Sequence, residues 1–305
     1  MHLPDDCLAV IFHGLDSRMD RNSFGLTCRR WLHVQDFNRR SLQFECSSFI
    51  LHPSSLSSKG FDIHTFQLHR LLRRFQHLES LSLSNCTDLH DSGLTRLLIY
   101  GSYLQKLNMD CCSNVTDYGL SLVASGCPSL MSISLHRCLG ITDKGLETLA
   151  SACLSMKYVN LSNCSQISDK GLKALTHWCF ASCLKILDMR LCRTVSDTSV
   201  VAIAKGCPLL EEWNLALCHE VRLPGWRAVG SYCQNLKTLH VNRCRNLCDD
   251  GLQALREGCK NLSILYLNGC GRLTSVAIEL FKFHRTSVCI KEIEILCIKP
   301  YWEFS

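Results

Sequence analysis

Apolar and polar positions recur in a fixed order along most of the chain. The unit reads Leu-x-x-Leu/Ile-x-Leu-x-x-Cys-x-x-Ile/Val-Thr/Ser-Asp-x-Gly-Leu-x-x-Leu-Ala-x-x-Cys, and residues 130–153 are one copy of it. Its first cysteine occurs eight times with a spacing of 26 residues, except for one step of 28, at Cys86, Cys112, Cys138, Cys164, Cys192, Cys218, Cys244 and Cys270. A period of this length predicts a solenoid, because one such unit can bury its apolar face only against its neighbours.

Each unit predicts a strand followed by a helix. The Leu-x-Leu elements have a period of two and are too short for a helix. Thr/Ser-Asp pairs such as 142–143 and 168–169 follow them and offer an N-cap, and Gly-Leu-x-x-Leu then opens an amphipathic helix. Units this short predict an α/β horseshoe with a parallel sheet on the concave face and helices on the convex face. In the sixth unit Leu223-Pro224 replaces Asp-x, so its helix start should differ, and two additional residues near 180–183 should bulge the convex side.

Residues 78–285 hold eight units, and the remaining chain divides into three parts. Residues 1–45 have apolar positions at helical spacing, which predicts two short helices with a break near residues 16–21. Residues 46–77 contain a Ser-rich loop at 53–60 and a helix at 63–75, which together with a strand at 41–45 predict a degenerate capping repeat. In residues 286–305 the spacing of Ile290, Ile293, Ile295 and Ile298 predicts a final strand with Ile298 in the cysteine position, and residues 301–304 would cover the open end.

The chain has 22 cysteines, and fourteen of them fall in two columns of the repeat. A cysteine used in this way is a small buried hydrophobe with a weak S–H donor, which fits a reducing compartment better than a disulfide scaffold. The N-terminus lacks a signal-type apolar stretch, and no segment approaches 18 uncharged apolar residues. We therefore expect a cytoplasmic or nuclear protein without a membrane partner. The net charge of +6 is modest and does not by itself indicate nucleic acid.

The first 45 residues carry Leu3-Pro4, Ile11-Phe12, Leu15 and Cys28-Arg29-Arg30-Trp31 in an order and spacing that resemble an F-box. Together with the cysteine-containing repeat, they make the chain similar to the F-box/leucine-rich-repeat proteins, with the plant type as one option. The resemblance implies a small all-α F-box that docks on a Skp-type adaptor and, through it, on cullin and RING subunits. The residues that it assigns to this contact are Leu3, Pro4, Leu8, Ile11, Phe12 and Leu15. The alternative for the same residues is ordinary helix core.

Residues that could carry catalysis do not form a recognisable set. Pairs such as Cys111/Cys112, Cys179/Cys183 and Cys244/Cys248 match no familiar zinc spacing, and neither a phosphate-binding Gly-rich loop nor a Gly-x-Ser-x-Gly turn occurs. The sequence therefore predicts a protein that is not an enzyme and needs no cofactor or metal.

The concave face is the surface where a solenoid usually binds. Candidate residues for binding a protein substrate there are His136, Arg137, Tyr158, Arg190, Arg193, His240, Asn242, Arg243 and Tyr266. The arginines could hold an acidic or phosphorylated segment, because a guanidinium makes bidentate contacts with carboxylate and phosphate. The alternative is a solvated face with ordinary surface charge.

The resemblance implies a substrate receptor of an SCF-type (Skp-cullin-F-box) ubiquitin ligase, which brings targets to a ubiquitin-charged enzyme without performing chemistry itself. Two other readings stay open. One is a ligase-independent scaffold or inhibitor that uses the concave face alone. The other is a nucleic-acid binder that uses the arginine rows, although nucleic acid is not the expected partner. The identity of the target, and whether recruitment needs phosphorylation or a small molecule, do not follow from the sequence.

Overall fold

The structure is a computed structural model that describes residues 3–44, 63–176, 182–293 and residue 298. Within these ranges ten strands form one parallel sheet, and their order in space is their order along the chain. The strands are β1 (Ser41–Gln43), β2 (Ser80–Ser82), β3 (Lys106–Asn108), β4 (Ser132–Ser134), β5 (Tyr158–Asn160), β6 (Ile186–Asp188), β7 (Glu212–Asn214), β8 (Thr238–His240), β9 (Ile264–Tyr266) and β10 (Cys289–Lys291). The central residues pair in register, as Leu107 does with Leu81 and Ile133. The predicted α/β solenoid is confirmed.

Helices connect successive strands and pack against one another along the other side of the core. They are α1 (Asp5–His13), α2 (Arg18–Phe24), α3 (Arg29–Asn38), α4 (Ile63–Arg74), a 3₁₀ helix (Asp91–Leu94), α5 (Leu97–Tyr100), α6 (Asp117–Gly126), α7 (Asp143–Ala152), α8 (Asp169–Ala174), α9 (Asp197–Gly206), α10 (Leu223–Tyr232), α11 (Asp249–Gly258) and α12 (Ser275–His284). One apolar cluster runs between sheet and helices from Leu42 to Val288. This continuous core explains why no unit needs to be stable alone.

The first cysteine column fastens each turn to the unit before it. The Cys138 thiol lies 3.0 Å from the carbonyl oxygen of Met109, and the same contact recurs from Cys112 to Cys270 at 3.0 to 3.2 Å. A buried thiol is therefore used as a donor to a carbonyl that has no strand partner. Cys86 is disulfide-bonded, so the expectation of reduced thiols is wrong at that position.

An aspartate at the start of one helix holds the start of the next. Asp117 accepts hydrogen bonds from the backbone N–H of Thr142 at 2.8 Å and from its hydroxyl at 2.6 Å. The Thr142 hydroxyl in turn accepts the N–H of Lys144, which is the N-cap contact of α7. The arrangement recurs for Asp91, Asp143, Asp169 and Asp249, and we call it the aspartate ladder.

The ladder is interrupted at the sixth unit, as the changed sequence there predicts. Arg222 donates only its backbone N–H to Asp197, and α10 begins without a side-chain cap. Leu223 then offers no carboxylate to the next unit, whose cap residue Cys248 also makes no side-chain cap bond. Leu223, which lacks the acceptor carboxylate, is therefore followed in the next unit by Cys248, which lacks the hydroxyl donor.

The two ends of the chain differ from the predictions. Three helices form the N-terminal part instead of two, because Ser17 caps a helix inside the predicted break by accepting the N–H of Met19 at 3.2 Å. At the other end Ile290 pairs with Leu265, so the last strand lies three residues earlier than predicted, and Ile298 is not in the cysteine position. The Ser-rich loop, Cys179, residues 180–181 of the predicted bulge and the cover at 301–304 lie outside the described residues.

Candidate protein-binding surface

Three residues of each unit face the concave side: the first and third residues of the strand and the second residue after it. The central strand residue points the other way into the apolar core, because side chains alternate along a strand. The face is thus a set of three rows that run across the sheet from unit to unit.

The row at the third strand position shapes the turns. The side-chain oxygens of Asn108, Asn160, Asp188 and Asn214 each accept the backbone N–H two residues later, at 2.8 to 3.0 Å. Short polar side chains often replace a backbone partner in this way where a strand ends. This row therefore stabilises the turns that follow the strands, and the residues of the neighbouring rows are held in place by those turns.

Four of the predicted substrate-binding residues are buried: Tyr158, His240, Asn242 and Tyr266. His240 Nε2 lies 2.9 Å from Glu212 Oε1, and its ring stacks on Tyr266 with 4.2 Å between ring centroids. These contacts occupy His240 and Tyr266 within the protein. They are not open to a target in the structure as it stands.

The exposed part of the predicted set consists of cations just beyond the strands. Arg137, Arg193 and Arg243 are exposed, while His136 and Arg190 are half-buried. We define the basic rim as Arg137, Arg193, Arg243 and Arg245. Two arginines of the rim affect the nearby His219. Burial lowers the pKa of His219, and the charges of Arg245 and Arg193 lower it further, while Glu220 opposes the shift. The rim is an accessible cationic feature of this face.

Part of the C-terminal segment lies on the concave face. Asn242 donates its side-chain N–H to the carbonyl oxygen of Ile293 at 3.0 Å. Further along the sheet, Asp188 accepts the backbone N–H of Ile298 at 2.9 Å, and the Tyr158 hydroxyl donates to the Ile298 carbonyl at 2.8 Å. Burial raises the pKa of Asp188, although the N–H groups of Ile298 and Arg190 favour its charged form.

Sequence reasoning missed this arrangement and placed Ile298 in the core column. The two hydrogen bonds of Ile298 join residues that are 110 and 140 positions apart in the sequence. The spacing of isoleucines along one segment does not identify partners at such distances.

The helices α1, α2 and α3 form a small unit with a core of its own. Leu8 and Phe12 lie in that core with Phe24 and Val34, and Leu15 packs against it. Leu8 and Phe12 are therefore core residues in this structure and not open contacts for an adaptor. Their spacing of four residues places both on the inward face of α1.

The outward face of α1 keeps apolar residues in solvent. Leu3 is 52% exposed and Ile11 is 41% exposed, and Pro4 is exposed as well. Val10 was not predicted as a contact residue, yet it is 72% exposed. Leu3 and Pro4 just before α1, and Val10 and Ile11 within it, make up what we call the apolar face of α1. Exposed apolar residues grouped in this way are typical of a surface that another protein covers.

The three-helix unit is joined to the repeat array by polar and aromatic contacts. Arg74 Nε lies 2.7 Å from Asp36 Oδ1, and Arg40 donates to the His77 carbonyl at 3.2 Å. The rings of Phe37 and His77 meet edge to face with 4.6 Å between centroids. The apolar face of α1 takes no part in these contacts.

Within the described residues, His, Cys, Asp and Glu side chains do not gather into a group of three that could hold a metal ion. The described helices include none that is both long and apolar enough to cross a bilayer.

Comparisons with known proteins agree with this architecture. The family model described as Leucine Rich repeat matches residues 76–98, 152–175, 181–204 and 232–255. F-box/LRR-repeat protein 12 of Arabidopsis thaliana is 62% identical over 87 residues, which cover 28% of this chain and 22% of the relative. A chain in the crystal structure of the Rad7 and Elc1 complex of yeast has a TM-score of 0.57 at 18% identity, over 85% of this chain and 69% of that one, and shows the fold alone.

The sheet, the repeat and the family match define the chain as a leucine-rich-repeat protein. The similarity to the Arabidopsis relative supports its place among the F-box/leucine-rich-repeat proteins and confirms the resemblance seen in the sequence. The matched segment is about a fifth of that relative's length, so the role of the whole protein is a proposal.

Proposed function

We propose that this chain is the substrate-recognition subunit of an SCF-type ubiquitin ligase. The three-helix unit would dock on a Skp-type adaptor, which links it to cullin and RING subunits, and the concave side would hold a target protein. The chain would perform no bond chemistry. It would act by proximity, because a bound target has a raised effective concentration at the ubiquitin-charged enzyme.

The observation that carries the proposal is the apolar face of α1. Leu3, Val10 and Ile11 are exposed on a unit that already has its own core, so folding of the chain does not explain them. The contacts from Asp36 and Arg40 to the array lie elsewhere on the unit and leave this face open. The similarity to the Arabidopsis F-box/LRR-repeat protein supports the same role.

For the target, the proposal assigns the first contact to the basic rim. Arg137 and Arg193 are exposed, and guanidinium groups bind carboxylate or phosphate in bidentate fashion. An acidic or phosphorylated target segment fits this chemistry, and charges of this kind raise the rate of encounter more than the final affinity.

Co-purification with a Skp-type adaptor tests the docking half. We expect the unaltered chain to retain the adaptor, and the double variant Val10→Asp/Ile11→Asp to lose it, because two charges would be buried without partners. Phe283→Asp is the matched control, since Phe283 is as exposed as Val10 but lies on α12 at the other end of the array. Equal retention by all three chains would contradict the proposal and favour a ligase-independent scaffold.

A further inference from the structure

Ile298 lies in a pocket on the concave face, where both polar groups of its backbone are hydrogen-bonded. Its N–H is bound by Asp188 at 2.9 Å and its carbonyl oxygen by the Tyr158 hydroxyl at 2.8 Å. Its side chain packs against Tyr158 and Ile186, and the residue is 4% exposed. The pocket thus offers a hydrogen-bond acceptor, a hydrogen-bond donor and an apolar wall to one and the same residue.

The pocket belongs to the rigid sheet. Asp188 ends β6, and its other oxygen accepts the N–H of Arg190 at 2.9 Å, which fixes the carboxylate. Tyr158 begins β5, and the chain neighbours of both residues are paired in register with adjacent strands. A binding group held by regular secondary structure keeps its geometry when its ligand leaves.

The buried carboxylate requires a donor. Asp188 is completely buried, and a carboxylate in such a place is costly unless hydrogen bonds satisfy it. If Ile298 left, Asp188 would lose one of its three hydrogen-bond donors and keep those from Arg190 and Asn214, so another N–H at the same position would restore the lost bond. The apolar wall selects what accompanies that N–H, namely an aliphatic side chain.

We propose that this pocket is a binding subsite for a protein segment with an aliphatic residue, and that Ile298 is its intramolecular occupant. A target segment of the same chemistry displaces Ile298 and takes over its contacts with Asp188 and Tyr158. The inference rests on the proposed function, since it names the kind of target segment that the concave face accepts. The basic rim would hold the acidic part of the same target.

The test uses the whole 305-residue chain and a labelled synthetic peptide that corresponds to residues 292–305, with Cys297 replaced by Ser to prevent oxidation. Ile298→Asp places a second charge beside Asp188 and should vacate the pocket. We expect this variant to bind the peptide at least about tenfold more tightly than the unaltered chain, where the linked segment competes at high effective concentration. Ile293→Asp is the matched control, because Ile293 is exposed and only its carbonyl contacts Asn242.

Two further measurements identify the pocket. A peptide with Val at the position of Ile298 should bind the vacated chain nearly as well as the original, whereas a peptide with Asp there should not bind. Adding Tyr158→Phe to the vacated chain removes one hydrogen bond and should weaken the peptide by about two- to tenfold. Equal binding by all chains, or by the Asp peptide, would overturn the inference.

If Ile298→Asp fails to fold, a second variant and a second measurement still test the inference. In that case Tyr158→Phe is made in the otherwise unaltered chain, and hydrogen exchange of the Ile298 amide is measured by mass spectrometry. We expect exchange to become about two- to tenfold faster, and an unchanged rate would refute the inference. None of these assays contains the adaptor, so failure here leaves the docking proposal standing, and failure of docking leaves the subsite standing.

Discussion

Asp143 accepts both hydrogen bonds that Ser168 in the next unit can donate. The backbone N–H of Ser168 lies 2.7 Å from one carboxylate oxygen, and its hydroxyl lies 2.6 Å from the other. The same hydroxyl accepts the N–H of Lys170 and so caps α8. One carboxylate in the first turn of α7 therefore holds the cap residue of α8, which couples one unit of the array to the next.

Removing this carboxylate should destabilise the array. We expect Asp143→Ala to lower the free energy of unfolding by about 1–3 kcal/mol, because two charge-assisted hydrogen bonds are lost and a cap is loosened. Urea titration followed by circular dichroism measures the change. Asp250→Ala is the control, since Asp250 also lies in the first turn of a helix but is exposed. An equal loss in both variants would show that only the helix dipole matters.

The ladder also predicts how stability depends on pH. Burial raises the pKa of Asp169, but hydrogen bonds from Ser196 and Ser199 outweigh it and leave the pKa below its ordinary value of 3.8. A carboxyl group with a lowered folded-state pKa stabilises the protein above the unfolded-state value, and this contribution is lost as the pH falls through the folded-state value.

We therefore expect Asp169→Asn to be less stable than the unaltered chain at neutral pH. The difference should shrink as the pH falls below 3.8, because the native carboxyl group then becomes neutral too. Thermal unfolding from neutral to acidic pH measures it. A stability difference that stays constant over this range would contradict the role of charge at Asp169.

The repeating part of the fold could be predicted from the sequence, because the same pattern of apolar and polar residues recurs in every unit. Strands and helix starts were predictable from the Leu-x-Leu elements and the Thr/Ser-Asp pairs. The partner of each aspartate was not predicted, since it lies 25 to 27 residues further along the chain, as Thr142 does from Asp117 and Ser196 from Asp169. The paired changes at Leu223 and Cys248 are the signal that could have revealed it.

The candidate site was predictable only in part, because burial decides which residues are accessible. His136, Arg137 and Tyr158 are all polar positions near the sheet, yet Tyr158 is 1% exposed while Arg137 lies in solvent. In α1 the spacing could not tell the inward face from the outward one without knowing where α2 and α3 pack.

Burial of the cysteine columns predicts their reactivity. Burial raises the pKa of the Cys153 thiol to about 11 and that of Cys207 to about 12, so neither forms the reactive thiolate at neutral pH. Cys7, Cys28 and Cys289 are exposed. We expect iodoacetamide to label these three in the native protein, and to label Cys153 and Cys207 only after denaturation, as measured by mass spectrometry. Labelling of the column thiols in the folded chain would contradict their static burial.

Arg137 combines a strained backbone with an exposed charge. Its φ is 57°, in the left-handed region, where the equivalent residues of two other units are Asn85 and Asn163 with φ of 65° and 59°. Asparagine tolerates this conformation better than a long side chain does. The position therefore carries arginine at a cost in stability, as the equivalent position carries leucine at Leu191 and Leu217.

We expect Arg137→Asn to raise the free energy of unfolding by about 0.5–1 kcal/mol and to weaken binding of an acidic target. Arg193→Asn is the matched control: it removes the same charge from an exposed residue whose φ is not positive, so its stability should change by less than about 0.5 kcal/mol. Urea titration of both variants decides the matter. If Arg137→Asn proved the less stable of the two, backbone strain at this position would not be a source of instability.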